Sequence, residues 1–481
     1  MTHSRKPIAL CLLSGVLLAG CVVGPDYKKP DVSVPTSFRG QTDGVEAASF
    51  ADQSWSSVFA DPQLQALIGE ALANNYDLQV AVARIEQARA LVDVAVSQGL
   101  PQLDYEVTAG GQRPLIQGVD SADTTNIATA GGILRAAWEL DMWGRIRRST
   151  EAARANLLAQ EDVRRGVMLS LVSDVATGYF RLLELDRELQ IAQDSANTFG
   201  KSFDFYTLRF ENGRDSRLPV DRAKANFDAS NATIADLKRA IAVQENALSV
   251  LLGAYPRDIP RGQLLTAATL TTTPTGVTTA LLQRRPDIRA AEHTMMRANA
   301  EIGVAVANYF PTIGLSALLG VVGLTVGGDW EGFGTWNLAL SAAGPIYQGG
   351  RLKAIYNERR AFWDETVAQY KKTVVGAFQE TSDALAAQQH LVARRAALEA
   401  QVESLRRASA TARDRYDFGL ASYFEVLEAD QQLFPAEAEL ARTQRDQLLA
   451  VVNLYRALGG GWQGPAPTMT PASNSTPSPP A

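Results

Sequence analysis

Gly144-Arg145-Ile146-Arg147 and Gly350-Arg351-Leu352-Lys353 are one short word written twice, 206 residues apart. The spacing holds downstream. Arg209-Phe210 answers Arg415-Tyr416, Gly213 answers Gly419, Ser216 answers Ser422, Ala223 answers Ala429, and Leu252-Gly253 answers Leu458-Gly459. Upstream the offset is 210. It relates Asp77 to Asp287, Val94-Ala95-Val96 to Val304-Ala305-Val306, and Leu100-Pro101 to Phe310-Pro311. One four-residue indel between about 112 and 140 reconciles the two offsets. Helix composition does not explain matched Gly and Pro positions, so the chain is read as a duplication.

Each half reads helix, strand, loop, strand, long helix, turn, helix. In the first half, Leu103, Tyr105, Val107 and Ala109 alternate with Gln102, Asp104, Glu106 and Thr108. After a polar loop, Leu134, Ala136, Trp138, Leu140 and Met142 are apolar, with Arg135, Glu139 and Asp141 between them. The second half repeats this more weakly, through Ile313, Leu315, Ala317 and Leu319, then Trp336, Leu338, Leu340 and Ala342. Period two means two faces with different surroundings. A half-buried soluble sheet and a membrane barrel both fit. Four strands cannot close a membrane barrel, which needs about eight, and an open edge in lipid leaves backbone groups unpaired. Spanning strands would therefore have to be shared between chains, and three chains would give twelve. The polar residues Asp104, Glu106, Glu139 and Asp141 would then face a barrel lumen. Trp138, Trp143 and Trp336 would be candidates for an interface belt.

The segments from Arg145 to Phe210 and from Arg351 to Tyr416 contain no proline. The stripe Val167, Leu171, Val175, Tyr179, Leu182 steps by three and four, as one face of a helix does. About 65 residues at 1.5 Å each would make a straight helix roughly 100 Å long. Such lengths suit coiled-coil hairpins, reversing at Gly213 and Gly419. Pro219 fits the first turn of the first returning helix. Pro435 should kink or interrupt the second.

Arg5 and Lys6 precede a mostly apolar run, Ile8 to Gly20, too short to span a bilayer. It ends in Leu18-Ala19-Gly20-Cys21, the layout of a lipoprotein signal, with Cys21 as the acylated residue. No aspartate follows Cys21, which favours the outer membrane. The other cysteine, Cys11, lies in the segment to be removed, so disulfide and thiol-redox chemistry are excluded. The organisation expected is a signal peptide over 1–20, a lipidated extended segment over 21–60, and a first repeat over 61–260. That repeat holds a strand pair at 101–143 and a helical hairpin at 145–252. A second repeat spans 261–462, with a strand pair at 311–346 and a hairpin at 350–458. A Pro/Ser/Thr-rich tail, read as disordered, covers 463–481. No later run of eighteen apolar residues predicts a membrane helix. Loss of Arg5 and Lys6 leaves a net charge of about −8, which argues against nucleic acid as the main partner.

Enzyme motifs are missing. His293 and His390 lack HExxH or HxxE partners, and there is no GxSxG, no P-loop and no GxGxxG after a strand. Met295-Met296 beside His293 reads as packing. No cofactor or metal is expected beyond the lipid on Cys21.

Gly24-Pro25-Asp26-Tyr27-Lys28-Lys29-Pro30, the duplicated halves, and the ending Val452-Asn453-Leu454-Tyr455-Arg456-Ala457-Leu458-Gly459-Gly460-Gly461-Trp462 resemble the outer-membrane efflux factors of the TolC superfamily, in their OprM-like lipoprotein branch. The resemblance implies a mostly α fold with a small β part. It implies a homotrimer forming a twelve-stranded outer-membrane β-barrel continuous with a twelve-helix periplasmic α-barrel. It implies a periplasmic adaptor and an inner-membrane pump, of the resistance-nodulation-division type, as partners. Glu425 and Glu428 fall on the family's constricting carboxylate ring, and Tyr416 falls on a tyrosine that holds the tip closed. Ala421 stands where a locking arginine is found, so that lock would be absent or rebuilt through Arg413, Arg415 or Arg214. Pro219 stands where the family has an aspartate partner. The turns at Gly213, Arg214, Gly419 and Leu420 would face the adaptor, with Lys201, Arg209 and Arg217 near the first. The competing reading is a structural periplasmic coiled-coil lipoprotein without channel activity.

Overall fold

The computed structural model describes residues 22–41, 52–112, 127–262, 265, 278–326 and 329–460. Cys21 and the 463–481 tail lie outside the described residues. The main elements are α1 (Pro62–Asn74), α2 (Tyr76–Ser97), β1 (Gln102–Gln112), β2 (Ile127–Leu140), α3 (Arg145–Glu211) and α4 (Arg217–Leu251). The second half supplies α5 (Pro286–Ala307), β3 (Thr312–Val326), β4 (Asp329–Ala343), α6 (Arg351–Asp417) and α7 (Tyr423–Ala457). The long helices α3 and α6 begin 206 residues apart, at Arg145 and Arg351, and are 67 residues each; α4 and α7 are 35 each. The mostly helical fold with a small sheet is thus present in one chain.

The chain forms two compact units, and neither is one repeat. Of the described residues, the first takes those within 22–31, 83–161 and 290–371, and the second those within 32–82, 162–289 and 372–460. Each repeat contributes to both.

The first unit holds the sheet, antiparallel in the order β1-β2-β3-β4. The segment opening with Gly24 is laid across its helices. Gly24 has φ +94°, and a Cβ there would come 2.5 Å from the Cα of Gly303, so only glycine allows the approach. Arg148, nearly buried, donates to Asp26 and to Glu151, both at 2.8 Å. Lys29 reaches Glu292 at 2.6 Å, and the Asn299 amide donates to the Pro25 carbonyl at 2.9 Å. The Gly24–Lys29 motif is thus a strap of backbone fit and ion pairs.

The second unit holds the main core. Leu171, Val175, Tyr179 and Leu182 of the expected stripe are buried against Leu64, Ile68, Leu248, Leu252 and Val452, with Val167 packed on the margin. Each such side chain contributes roughly 1.5–3 kcal/mol by leaving water. One apolar window of α3 passes a membrane-span test by composition, but two-thirds of it is buried inside the chain, as in a core helix. Tyr179 is the polar pin of this core. Its hydroxyl donates to Asp61 and accepts from the Gly262 amide, both at 2.8 Å.

The repeats close by equivalent joints. Asn75 donates to the Leu251 carbonyl at 3.0 Å, and Arg285, its counterpart, donates to the Ala457 carbonyl at 3.0 Å. Helix α7 runs through Pro435 without interruption, so of the two expected outcomes, a kink or a break, the break does not occur. Proline removes one N–H, and the flanking turns and the edge contact of Phe434 with Phe199 (5.8 Å) hold the rest.

Candidate functional site

Two regions collect the residues singled out from the sequence: the sheet and the hairpin turns.

In the sheet, the register sets Leu103 opposite Ala136, Tyr105 opposite Leu134, Trp138 opposite Leu315, and Leu319 opposite Trp336. Residues paired across antiparallel strands share a face, so one face carries the apolar alternation of all four strands. Its side chains are bare: Tyr105 is 80% exposed, Trp336 78% and Leu340 70%. A contiguous apolar surface of this kind does not face water. The opposite face carries Asp104, Glu106, Arg135, Glu139, Ser316, Thr335, Asn337 and Ser341, interrupted by Ile133, Leu318, Val322, Leu324 and Phe333. Asp104 lies opposite Arg135, whose guanidinium pairs with Glu106 at 2.7 Å. Glu139 is held by Arg145 at 3.0 and 2.7 Å. Asp141 is a correction. Strand β2 ends at Leu140, and the Asp141 carboxylate accepts from the Ile146 and Arg147 amides at 3.0 and 2.9 Å. It caps the start of α3, a job its short side chain does well, and is not a strand residue. At the helical end of the sheet the Trp138 indole donates to the Gly99 carbonyl. The Trp143 indole donates to the Pro311 carbonyl and stacks on Phe310 at 4.8 Å.

The two hairpin turns are built alike. Gly213 and Gly419 have φ +67° and +69°. Arg214 N–H donates to the Arg209 carbonyl and Leu420 N–H to the Arg415 carbonyl, at 2.9 and 2.7 Å. These bonds satisfy the last carbonyls of α3 and α6, and only glycine takes the left-handed position without strain. Pro219 lies in the first turn of α4, as expected.

Around the second turn, Glu425 and Glu428 are exposed on the first turns of α7. Arg415 stands 3.9 Å from Glu425. Arg413 does not reach toward Ala421. It grips Asp430 through both oxygens, at 3.1 and 3.0 Å, while the Ser409 hydroxyl donates to the same carboxylate at 2.6 Å. Arg214 is exposed, and Arg209 pairs with Asp215 at 3.2 Å.

Tyr416 is half-buried in a cluster that spans both hairpins. Its ring meets Phe205 at 5.6 Å and Tyr423 at 5.0 Å, and Tyr423 also packs on Phe205 and Tyr206. The Tyr423 and Ser202 hydroxyls are hydrogen-bonded. Burial pushes the Tyr206 phenol up to about 12 and raises Tyr416 and Tyr423, so all three stay protonated donors at ordinary pH. Phe205, Tyr206, Ser202, Asp430 and Ser409 were not singled out from the sequence. The available signal was the density of Phe203, Phe205, Tyr206 and Phe210 within eight residues of one helix. Among the described residues, no three His, Cys, Asp or Glu side chains converge as a metal site.

A protein-family model described as outer membrane efflux protein matches residues 67–254 and again 277–460. The chain belongs to the outer membrane efflux protein family. The two matched stretches begin 210 residues apart and end 206 apart, the same two offsets that relate the halves of the sequence. The cation efflux system protein CusC of Escherichia coli O6:H1 is 33% identical over 463 residues, covering 95% of this chain and 99% of that protein. The toluene efflux pump outer membrane protein TtgI of Pseudomonas putida is 34% identical, covering 94% and 98%. Among solved structures, the open state of the Neisseria gonorrhoeae MtrE outer membrane channel superposes with a TM-score of 0.83 at 31% identity, covering 93% of this chain and all of that one. The chain is therefore an outer-membrane efflux protein with a large periplasmic part, like these relatives.

Proposed function

We propose that this chain is one protomer of a passive duct. Three copies close a twelve-stranded barrel in the outer membrane, continuous with a twelve-helix periplasmic tunnel. The duct does no chemistry, and Cys21 carries its lipid anchor. It carries small molecules outward from a periplasmic adaptor and an inner-membrane pump of the resistance-nodulation-division type.

The observation that carries this reading is the two-faced sheet. One face is bare and apolar, the other mostly polar or small, and β1 and β4 are open edges within the chain. Lipid satisfies the first face, a water-filled lumen the second, and neighbouring copies the edges. Asp104, Glu106 and Glu139 then line the lumen and bias it toward cations.

At the hairpin turns, Glu425 and Glu428 of three copies bring six carboxylates near one axis, a cation-attracting constriction. The tip is locked by the Tyr416–Tyr423–Ser202 cluster in place of an arginine at Ala421. The adaptor docks on the turns, where Gly213, Arg214, Gly419 and Leu420 are flanked by exposed Leu208, Leu218, Phe418 and Phe424. Relatives named for cations and for toluene leave the cargo class open.

The test is thiol labelling of single cysteines in intact outer membranes. Asn337→Cys is expected to react with a charged, water-soluble reagent, and Leu338→Cys only with a lipid-soluble one. Equal reaction of both with the charged reagent would overturn the barrel.

A further inference from the structure

We infer that neighbouring copies join β4 to β1 in one defined register, with Ala342 opposite Val107 and Ser341 opposite Thr108 of the next copy. The inference rests on the shared-barrel reading and deepens it by naming the surface each copy offers.

The chain contains its own template. Its hairpins obey the repeat residue by residue. Leu103 pairs with Ala136 in the first, and Ile313 pairs with Ala342 in the second. The second pair is the first one moved by 210 on one strand and 206 on the other. These are the offsets found in the sequence. Strands β1 and β3 are therefore equivalent, as are β2 and β4.

Within the chain, β2 meets β3 across the boundary between repeats. That seam pairs Trp138 with Leu315, Leu140 with Ile313, Ala136 with Ala317, and Arg135 with Leu318. The free edges β4 and β1 are the same two strand types. Carrying the seam forward by one repeat moves β2 onto β4 and takes β3 back onto β1. Ala342 then stands opposite Val107, Ser341 opposite Thr108, Leu340 opposite Ala109, and Asn337 opposite Gln112.

This register covers what the single chain leaves bare. Leu340 of β4 is 70% exposed and Val107 of β1 75%. In the template seam Leu134 and Leu319, the counterparts of Leu340 and Ala109, lie opposite each other. The new seam keeps the faces in phase, with Leu340 and Ala342 on the apolar side and Ser341 and Thr108 on the polar side. A slip of one residue would set Leu340 against Thr108 and put apolar side chains on the polar face, which strand geometry forbids here. A slip of two keeps the faces, and only the repeat decides against it.

Disulfide trapping in outer membranes distinguishes these registers. Directly opposed residues bring Cβ atoms about 4.5–5.5 Å apart, whereas a two-residue diagonal is too long for a disulfide. The full-length, lipidated protein carrying Ser341→Cys with Thr108→Cys is oxidised and run on a denaturing gel without reductant. A covalent trimer is expected, several-fold stronger than from Ser341→Cys with Gly110→Cys or with Glu106→Cys, and none from the single variants. Equal or stronger linkage in either offset pair would overturn the register. So would failure of the matched pair while the unoxidised protein still runs as a heat-modifiable trimer. If that protein is monomeric by cross-linking and sedimentation, the shared barrel itself fails, a result separate from the register.

Discussion

The two hairpin ends share their turns and differ one step above them. In the second hairpin Asp430 is 1% exposed and held by Arg413 and Ser409. Its counterpart in the first hairpin, 206 residues earlier, is Lys224. That lysine is half-exposed, lies 5.7 Å over the Phe203 ring, and pairs with Asp228 at 2.9 Å. Ser409 and Phe203 are themselves counterparts. The two repeats thus share the backbone and differ at this position: a surface cation on an aromatic ring in one, a buried anion in a clamp in the other. A buried charge left without its partner is costly, whereas an exposed pair contributes little. The second hairpin therefore has a buried charged clamp besides exposed pairs such as Arg406–Glu437 at 2.6 Å, and the first has stacking, including Phe203 on Phe227 at 6.4 Å.

The largest effect should come from moving the proline across this comparison. Ala229→Pro, at the position matching Pro435, puts proline into a helix not built around it. It should lower the opening free energy of α4 amides by about 3 kcal/mol in hydrogen exchange. Pro435→Ala should raise protection in α7, because an N–H returns to the Gln431 carbonyl. Next comes the clamp. Asp430→Asn should cost the second hairpin about 2 kcal/mol by the same measurement, since a hydrogen-bonded charge is lost. Lys224→Ala should cost the first hairpin no more than about 0.5 kcal/mol. Equal losses would erase the distinction between the hairpins.

A smaller effect than at the clamp is expected at the cluster joining the hairpins. Tyr423→Phe removes one hydroxyl bond to Ser202 and keeps the rings, a loss of about 1 kcal/mol. Its pH dependence has a definite sign. Burial raises the Tyr423 phenol, so its contribution is fully present below pH 10 and is lost as pH rises through the folded-state value. The tip should therefore be insensitive between pH 6 and 9 and loosen above about pH 10. Loosening at acidic pH instead would assign the lock to carboxylates.

The sheet was legible because period-two alternation survives in Leu103–Ala109 and Trp336–Ala342. Its seam between β2 and β3 was not. Gly131, Gly132, Gly320 and Gly323 lie along it and carry no hydropathy signal. Asp141 was misread because an aspartate after alternating residues fits a polar strand position and a helix cap equally. The long helices were legible from missing prolines and the Val167–Leu182 stripe. The tip cluster was not, since Ser202 and Tyr423 are brought together only by the packing of two hairpins. Pro435 signalled a break where only a missing N–H was required. The Gly24–Lys29 strap was visible as a motif, but its meaning depends on Gly303 and Glu292, far along the chain.

The central claim is that this chain makes a shared, gated pore, and single-channel recording of the purified, lipidated protein in a planar bilayer tests it most directly. The account predicts small, cation-preferring openings that enlarge and lose block by divalent cations when Glu425→Ala is combined with Glu428→Ala. A correctly folded trimer that conducts in neither form, or whose openings and divalent block are unchanged in the double variant, would contradict it.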